Sequence, residues 1–255
     1  MSAPERLTWL YCLVERERAP APPAAAPRLP GAGAPRVAAA APRLWLVAAD
    51  VPAARYGPGP LERSLKDLDW VAACATAHEA VVERFARRGP TLPMRLFTLF
   101  SGDATAIAHV RDIEPRARRL LASVTGREEW GVRIRLSAPP RTPARARAAV
   151  AASGTGFLLG KKHEREAARA QAADGRRLVE ETYETLATLA DATRRRPARE
   201  LDGTRLLLDA TFLVPSRRVA GFTRSARQAT RRLARRGLAV ALTGPWPPYN
   251  FLETR

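Results

Sequence analysis

Leu238-Ala239-Val240-Ala241-Leu242 is an unbroken apolar run that leads into Thr243-Gly244-Pro245-Trp246-Pro247-Pro248-Tyr249-Asn250-Phe251. Such a run suits a strand buried on both faces better than a half-exposed one. Gly244 and the prolines then end it, because proline lacks the N–H a ladder needs and holds φ at about −65°. Trp246, Tyr249 and Phe251 follow on this stiffened backbone, where packing removes little further entropy. The stretch is expected to act as a closing clamp that the earlier strands and helices receive.

The preceding chain alternates strand-like and helical segments. LTWLYCLV (7–14) is strand-like, and residues 18–42 form a Pro/Ala/Gly tract whose prolines forbid helix. That tract is expected to be a flexible loop before a second strand at 44–51. Leu61, Leu65, Leu68, Val71, Cys74, His78, Val81 and Phe85 fall three or four apart, which predicts one helix ended by Gly89-Pro90. TLPMRLFTLF (91–100) reads as a strand. Ser101-Gly102-Asp103 offers an N-cap for a helix over 104–123. Trp130, Val132, Ile134 and Leu136 alternate with Gly131, Arg133 and Arg135, as in a half-buried strand.

Beyond Ala138-Pro139-Pro140, a long helix is expected over 157–196, with Gly175 as a possible break, followed by a strand at 206–214. Ser216 then precedes a helix with Val219, Phe222, Ala226, Ala229 and Leu233 on one stripe, stopped by Gly237. This order predicts an α+β fold in two domains. The N-terminal α+β domain covers 1–137 with 18–42 as its flexible loop, 138–153 is a linker, and 154–255 is a ferredoxin-like C-terminal α+β domain.

A net charge of +18 points first to an acidic partner such as nucleic acid or a membrane surface. Yet Lys66, Lys161 and Lys162 are the only lysines among 43 basic residues, and alanine, proline and glycine abound. A GC-rich coding bias inflates arginine in the same way, so the charge alone does not decide. Cys12 and Cys74 sit apart in apolar patterns and make neither a disulfide framework nor a zinc spacing. No basic n-region precedes an apolar core, and no run approaches the ~18 apolar residues of a membrane span. A cytoplasmic protein is expected, with no membrane partner.

No catalytic, cofactor or metal site emerges. His78-Glu79 begins a zinc-protease pattern, but position 82 is valine, and His78 lies on the apolar stripe as a core histidine would. His109 and His163 have no ligand at suitable spacing. In Gly154–Lys162 a phosphate loop would need glycine at Thr155 and a hydroxyl at Lys162. Adjacent acids such as Glu128-Glu129 and Glu180-Glu181 suit solvated charges. The candidates left are for partner binding: Arg217, Arg218, Arg224, Arg227, Arg231 and Arg235 on the last helix, and Trp246, Tyr249 and Phe251 after it. Against these stand a solvated arginine face and ordinary packing of the aromatics. Pro245-Trp246-Pro247-Pro248 formally fits PxxP, where packing is again the plainer role.

With these segments laid out, the chain resembles the gas vesicle protein F/L family (GvpF/GvpL). The resemblance rests on LTWLYCLV, LDWVAACATAHEAVVERF (68–85), PTLPMRLFTLFSGD (90–103), EWGVRIRL (129–136), GTGFLLGKKHEREA (154–167), LLLDATFLVP (206–215) and LTGPWPPYNF (242–251). It implies a non-enzymatic accessory protein of gas vesicle assembly, in the cytoplasm and at the gas vesicle. The implied partners are the small hydrophobic shell protein and other gas vesicle accessory proteins. No catalytic residues come with the family. The alternative is a basic nucleic-acid-binding α+β module, but no RNP-like alternation of aromatic and basic residues is present.

Overall fold

The computed structural model describes residues 5–23, 26–137, 166, 173–197, 200–201 and 204–252. The expected 138–153 linker, the 154–160 glycine loop and His163 lie outside these residues. The chain divides into two compact units, Met1–Glu128 with Pro245–Arg255, and Glu129–Gly244. This differs from the 1–137 and 154–255 partition expected from the sequence. The strand that starts at Arg127 pairs into the second sheet, and the closing segment contributes to the cores of the first unit.

In the first unit the largely apolar strand β1 (Arg6–Glu15) lies inside a sheet. It pairs antiparallel with β3 (Leu44–Pro52) on one side and with β4 (Thr91–Pro93) and β5 (Leu99–Phe100) on the other, while β2 (Arg36–Ala41) extends the sheet beyond β3. Trp9 through Val14 are fully buried. A register shift between Leu10 and Cys12 puts Tyr11 and Cys12, neighbours in sequence, into the same core as Trp9 and Val14, as a bulge does. Leu10 and Leu13 enter the opposite core. On the first face α3 (Leu68–Ala86) buries Trp70, Cys74, Val81 and Phe85. On the second, α4 (Asp103–Asp112) and α5 (Glu114–Val124) bury Val110, Ala117 and Leu121.

Several segments break where periodicity alone runs on. The helix expected over 61–85 is divided between α2 (Pro58–Ser64), which follows a short α1 (Ala53–Tyr56), and α3, because the Asp67 carboxylate accepts from the Trp70 N–H at 3.1 Å and starts a new helix. Leu65 and Leu68 are thereby left 43% and 78% exposed. The 91–100 strand is interrupted at Phe97, whose φ is 64°. The 104–123 helix restarts after Ile113, with Pro115 in the first turn of α5. Ser101 and Asp103 do not cap α4. Gly102 stands at the cap, and the Asp103 carboxylate accepts instead from Thr8 (2.8 Å) and Arg36. The 18–42 tract is not wholly a loop. Its residues 36–41 form β2 on the free side of β3, and Leu29 and Ala40 are buried in the two cores.

In the second unit the strand order is β10-β6-β9-β7, with β6 (Arg127–Leu136), β7 (Ala192–Arg195), β9 (Thr204–Pro215) and β10 (Leu238–Trp246). A short β8 (Glu200–Leu201) pairs antiparallel with β9. Two helices, α6 (173–187) and α7 (Val219–Ala234), share one core with Val132 and Ile134 of β6 and the alternate residues Leu208, Ala210, Phe212 and Val214 of β9. Gly175 lies within α6, buried against Leu238, and does not break it. The tail of the helix expected to 196 is β7, recruited by antiparallel pairing to β9. The closing strand is also corrected. β10 ends the sheet order, so only Leu238 of its nine residues is buried, and the strand enclosed on both faces is β1.

Candidate interaction surface

The 3.6-residue period of α7 sorts its side chains into bands. Phe222, Ala226, Ala229 and Leu233 face the core. On the flank beside α6, Arg232 reaches Glu181 (3.5 Å) and Arg236 reaches Asp174 (2.9 Å). Nearer the start of the helix, Arg218 reaches Asp191 at 3.7 Å. Opposite the core, Arg224, Arg227, Arg231 and Arg235 are exposed and make no ion pair among the described residues. Arg217, in the single 3-10 turn Ser216–Arg218 that precedes the helix, is exposed in the same way. No acidic residue occurs between Ala210 and Leu252, so none on the helix itself offsets the stripe. Gly237, at φ 71°, turns the chain out of the helix into β10.

A groove of about 160 Å³ between α6 and α7 is lined by Thr182, Leu186, Ser225, Gln228, Ala229 and Arg232. It falls short of the roughly 300–1,000 Å³ of small-molecule sites. Among the described residues no group of three or more histidine, cysteine or acidic side chains is placed to hold a metal ion.

His78 is a core residue, 3% exposed. Its Nδ1 accepts from the Trp9 indole N–H at 3.0 Å, and its Nε2 lies 3.1 Å from the Met94 carbonyl. Cys12 and Cys74 are buried free thiols, and burial pushes both upward in pKa.

The aromatic candidates separate. Pro245 and Trp246 (44% exposed) face solvent whereas Pro247 and Pro248 are buried, so only the first half of the PxxP match is displayed. Tyr249 packs against the first core and donates its hydroxyl to Glu79 Oε2 at 2.6 Å, and Phe251 is half-buried. Burial raises the Glu79 carboxyl, and the tyrosine hydrogen bond partly offsets this. The exposed leucines Leu65 and Leu68 were missed as surface residues because they continue the apolar spacing of the helix beside them. The aspartate at position 67, before a helix-favouring run, is the signal that marks the break.

The α+β fold, with its two sheets, is shared with solved gas vesicle proteins. The chain superposes on the crystal structure of the gas vesicle protein GvpF from Anabaena sp. PCC7120 with a TM-score of 0.66 at 15% identity, covering 98% of this chain and 97% of that one. For GvpF from Microcystis aeruginosa the TM-score is 0.61 at 12% identity, with 97% and 99% covered. Gas vesicle protein L of Streptomyces sp. is 33% identical over 218 residues, 82% of this chain and 79% of the relative. Gas vesicle protein L2 of Halobacterium salinarum is 30% identical over 207 residues, 72% of each. The family model for gas vesicle synthesis protein GvpL/GvpF matches residues 7–253, and the chain belongs to this family. No helix among the described residues is long and apolar enough to cross a membrane.

Proposed function

We propose that this protein is a non-enzymatic accessory factor of gas vesicle assembly that binds the small hydrophobic shell subunit and other gas vesicle proteins in the cytoplasm. The family match over residues 7–253 carries this conclusion, since it spans both compact units. A subunit that polymerises through strands and apolar surface aggregates unless it is held, and a partner protects it by covering that surface. Leu65, Leu68 and Trp246 offer exposed apolar side chains for such contacts. The second unit serves as a ferredoxin-like module in this scheme. Its described strand–helix–strand–strand–helix–strand succession and its β10-β6-β9-β7 order support that assignment.

The test is capture of purified shell protein by this chain at low and moderate salt, with nuclease present. Salt-tolerant capture is expected, weakened by Leu65→Ser with Leu68→Ser. The net charge of +18 favours nucleic acid as the second possibility. Failure to capture shell protein, together with nucleic-acid retention whose log–log salt slope is roughly −0.9 per phosphate, would establish that possibility instead.

A further inference from the structure

We infer that the outward stripe of α7 is a docking site for an acidic α-helical segment of a protein partner. The proposal rests on the assembly role above only for the identity of that partner. Arg224, Arg227, Arg231 and Arg235 lie on one line three and four residues apart, about 16 Å long at ~1.5 Å per residue. A helix bearing carboxylates at the same spacing matches that line charge for charge.

Two plainer explanations fall short. Cations in a last turn are favoured by the helix dipole, which accounts for Arg231 and Arg235 but not for Arg224 and Arg227 in the middle of the helix. An arginine-rich composition accounts for number but not for arrangement. The arginines on the α6 flank of the same helix are paired, and those opposite the core have no acid within reach among the described residues.

The surroundings choose the occupant. On the α6 side the charges are already matched: Asp174 and Glu181 are held by Arg177, Arg232 and Arg236, and Glu180 by Arg195. The cations left unpaired on α7 therefore form a single row. The major groove of a duplex separates its phosphate rows by about 12 Å, and a duplex with one row on the stripe finds no second row of free arginines on this helix. A single helix, about 10–12 Å across, needs only the one row.

The experiment uses the full chain and a synthetic helical peptide of about 20 residues with glutamates on one face at three- and four-residue spacing. A peptide of equal composition, with its glutamates spread around the helix, is the control, and binding is read by fluorescence anisotropy at ~0.1 M salt. The one-faced peptide is expected to bind more tightly than the control. The quadruple variant Arg224→Gln, Arg227→Gln, Arg231→Gln, Arg235→Gln is expected to weaken it at least about tenfold. All four positions are exposed and glutamine keeps helix propensity, so an unchanged circular dichroism melt confirms that the variant folds.

Equal binding of the two peptides, or equal binding by wild type and variant, overturns the proposal. So does tighter, stripe-dependent binding of a DNA duplex of about 20 base pairs. Shell-protein capture is measured in parallel on wild type. Its loss there refutes the assembly role and leaves the stripe result standing.

Discussion

His78 shows how one buried side chain makes the fold sensitive to acid. Accepting the Trp9 N–H at Nδ1 requires a neutral ring with its proton on Nε2, where the Met94 carbonyl accepts it. Burial lowers its pKa from 6.5 to about 4. The unfolded chain takes up a proton that the folded chain resists, so stability from this residue is constant above pH 6.5. It falls as pH drops from 6.5 towards 4 and then levels off, a change of roughly 3 kcal/mol. Glu79, raised by burial, tilts the opposite way, which is why the comparison must be with His78→Gln. The drop in urea midpoint from pH 7.5 to pH 5, taken with its sign, is expected to be larger in wild type than in the variant. Equal differences would remove His78 from the account. The histidine was legible as a core residue from its place on the apolar stripe. Its two partners were not, since Trp9 is 69 residues away in sequence.

Among the elements, β10 depends on Gly244. Its φ is 127°, and a Cβ there would sit 2.8 Å from the Glu129 carbonyl and 3.1 Å from the Trp130 ring. Neither neighbour is the free end of a flexible side chain. Gly244→Ala should therefore lower stability by roughly 2 kcal/mol or more, seen as a reduced denaturation midpoint with an unchanged m-value. A neutral substitution would mean that the bend relaxes. Asp67→Ala should cost about 1 kcal/mol by uncapping α3, measured the same way. The elements were legible where one face is buried and the period is clean, as in α7 with Phe222, Ala226, Ala229 and Leu233. They were misread where neighbours decide. Leu238–Leu242 has the composition of an enclosed strand, yet it lies at the end of the sheet order, and RVAAAA (36–41) becomes a strand only because β3 offers it an edge. The arginine stripe was visible from spacing. Which arginines are paired was not, because Asp174 and Glu181 arrive from another helix.

At the scale of the whole molecule, the first unit is made from two separated pieces of chain. The Tyr249 hydroxyl bonds Glu79 across 170 residues, and Leu252 is 8% exposed in the second core of that unit. Burial of a leucine and one charge-assisted hydrogen bond together are worth roughly 3–5 kcal/mol. Truncation after Gly244 should accordingly raise hydrogen exchange in α3 and β1 and leave α7 and β9 protected. Unchanged exchange in α3 would show that the closing segment is dispensable. The same architecture has a temporal side. The ribosome must complete the whole of Glu129–Gly244, on the order of ten seconds at about 5–20 residues per second, before the residues that finish the first unit exist. During that interval the seat of Tyr249 beside Glu79 is open, and any chaperone or partner that reads it meets a nascent chain and never a finished one.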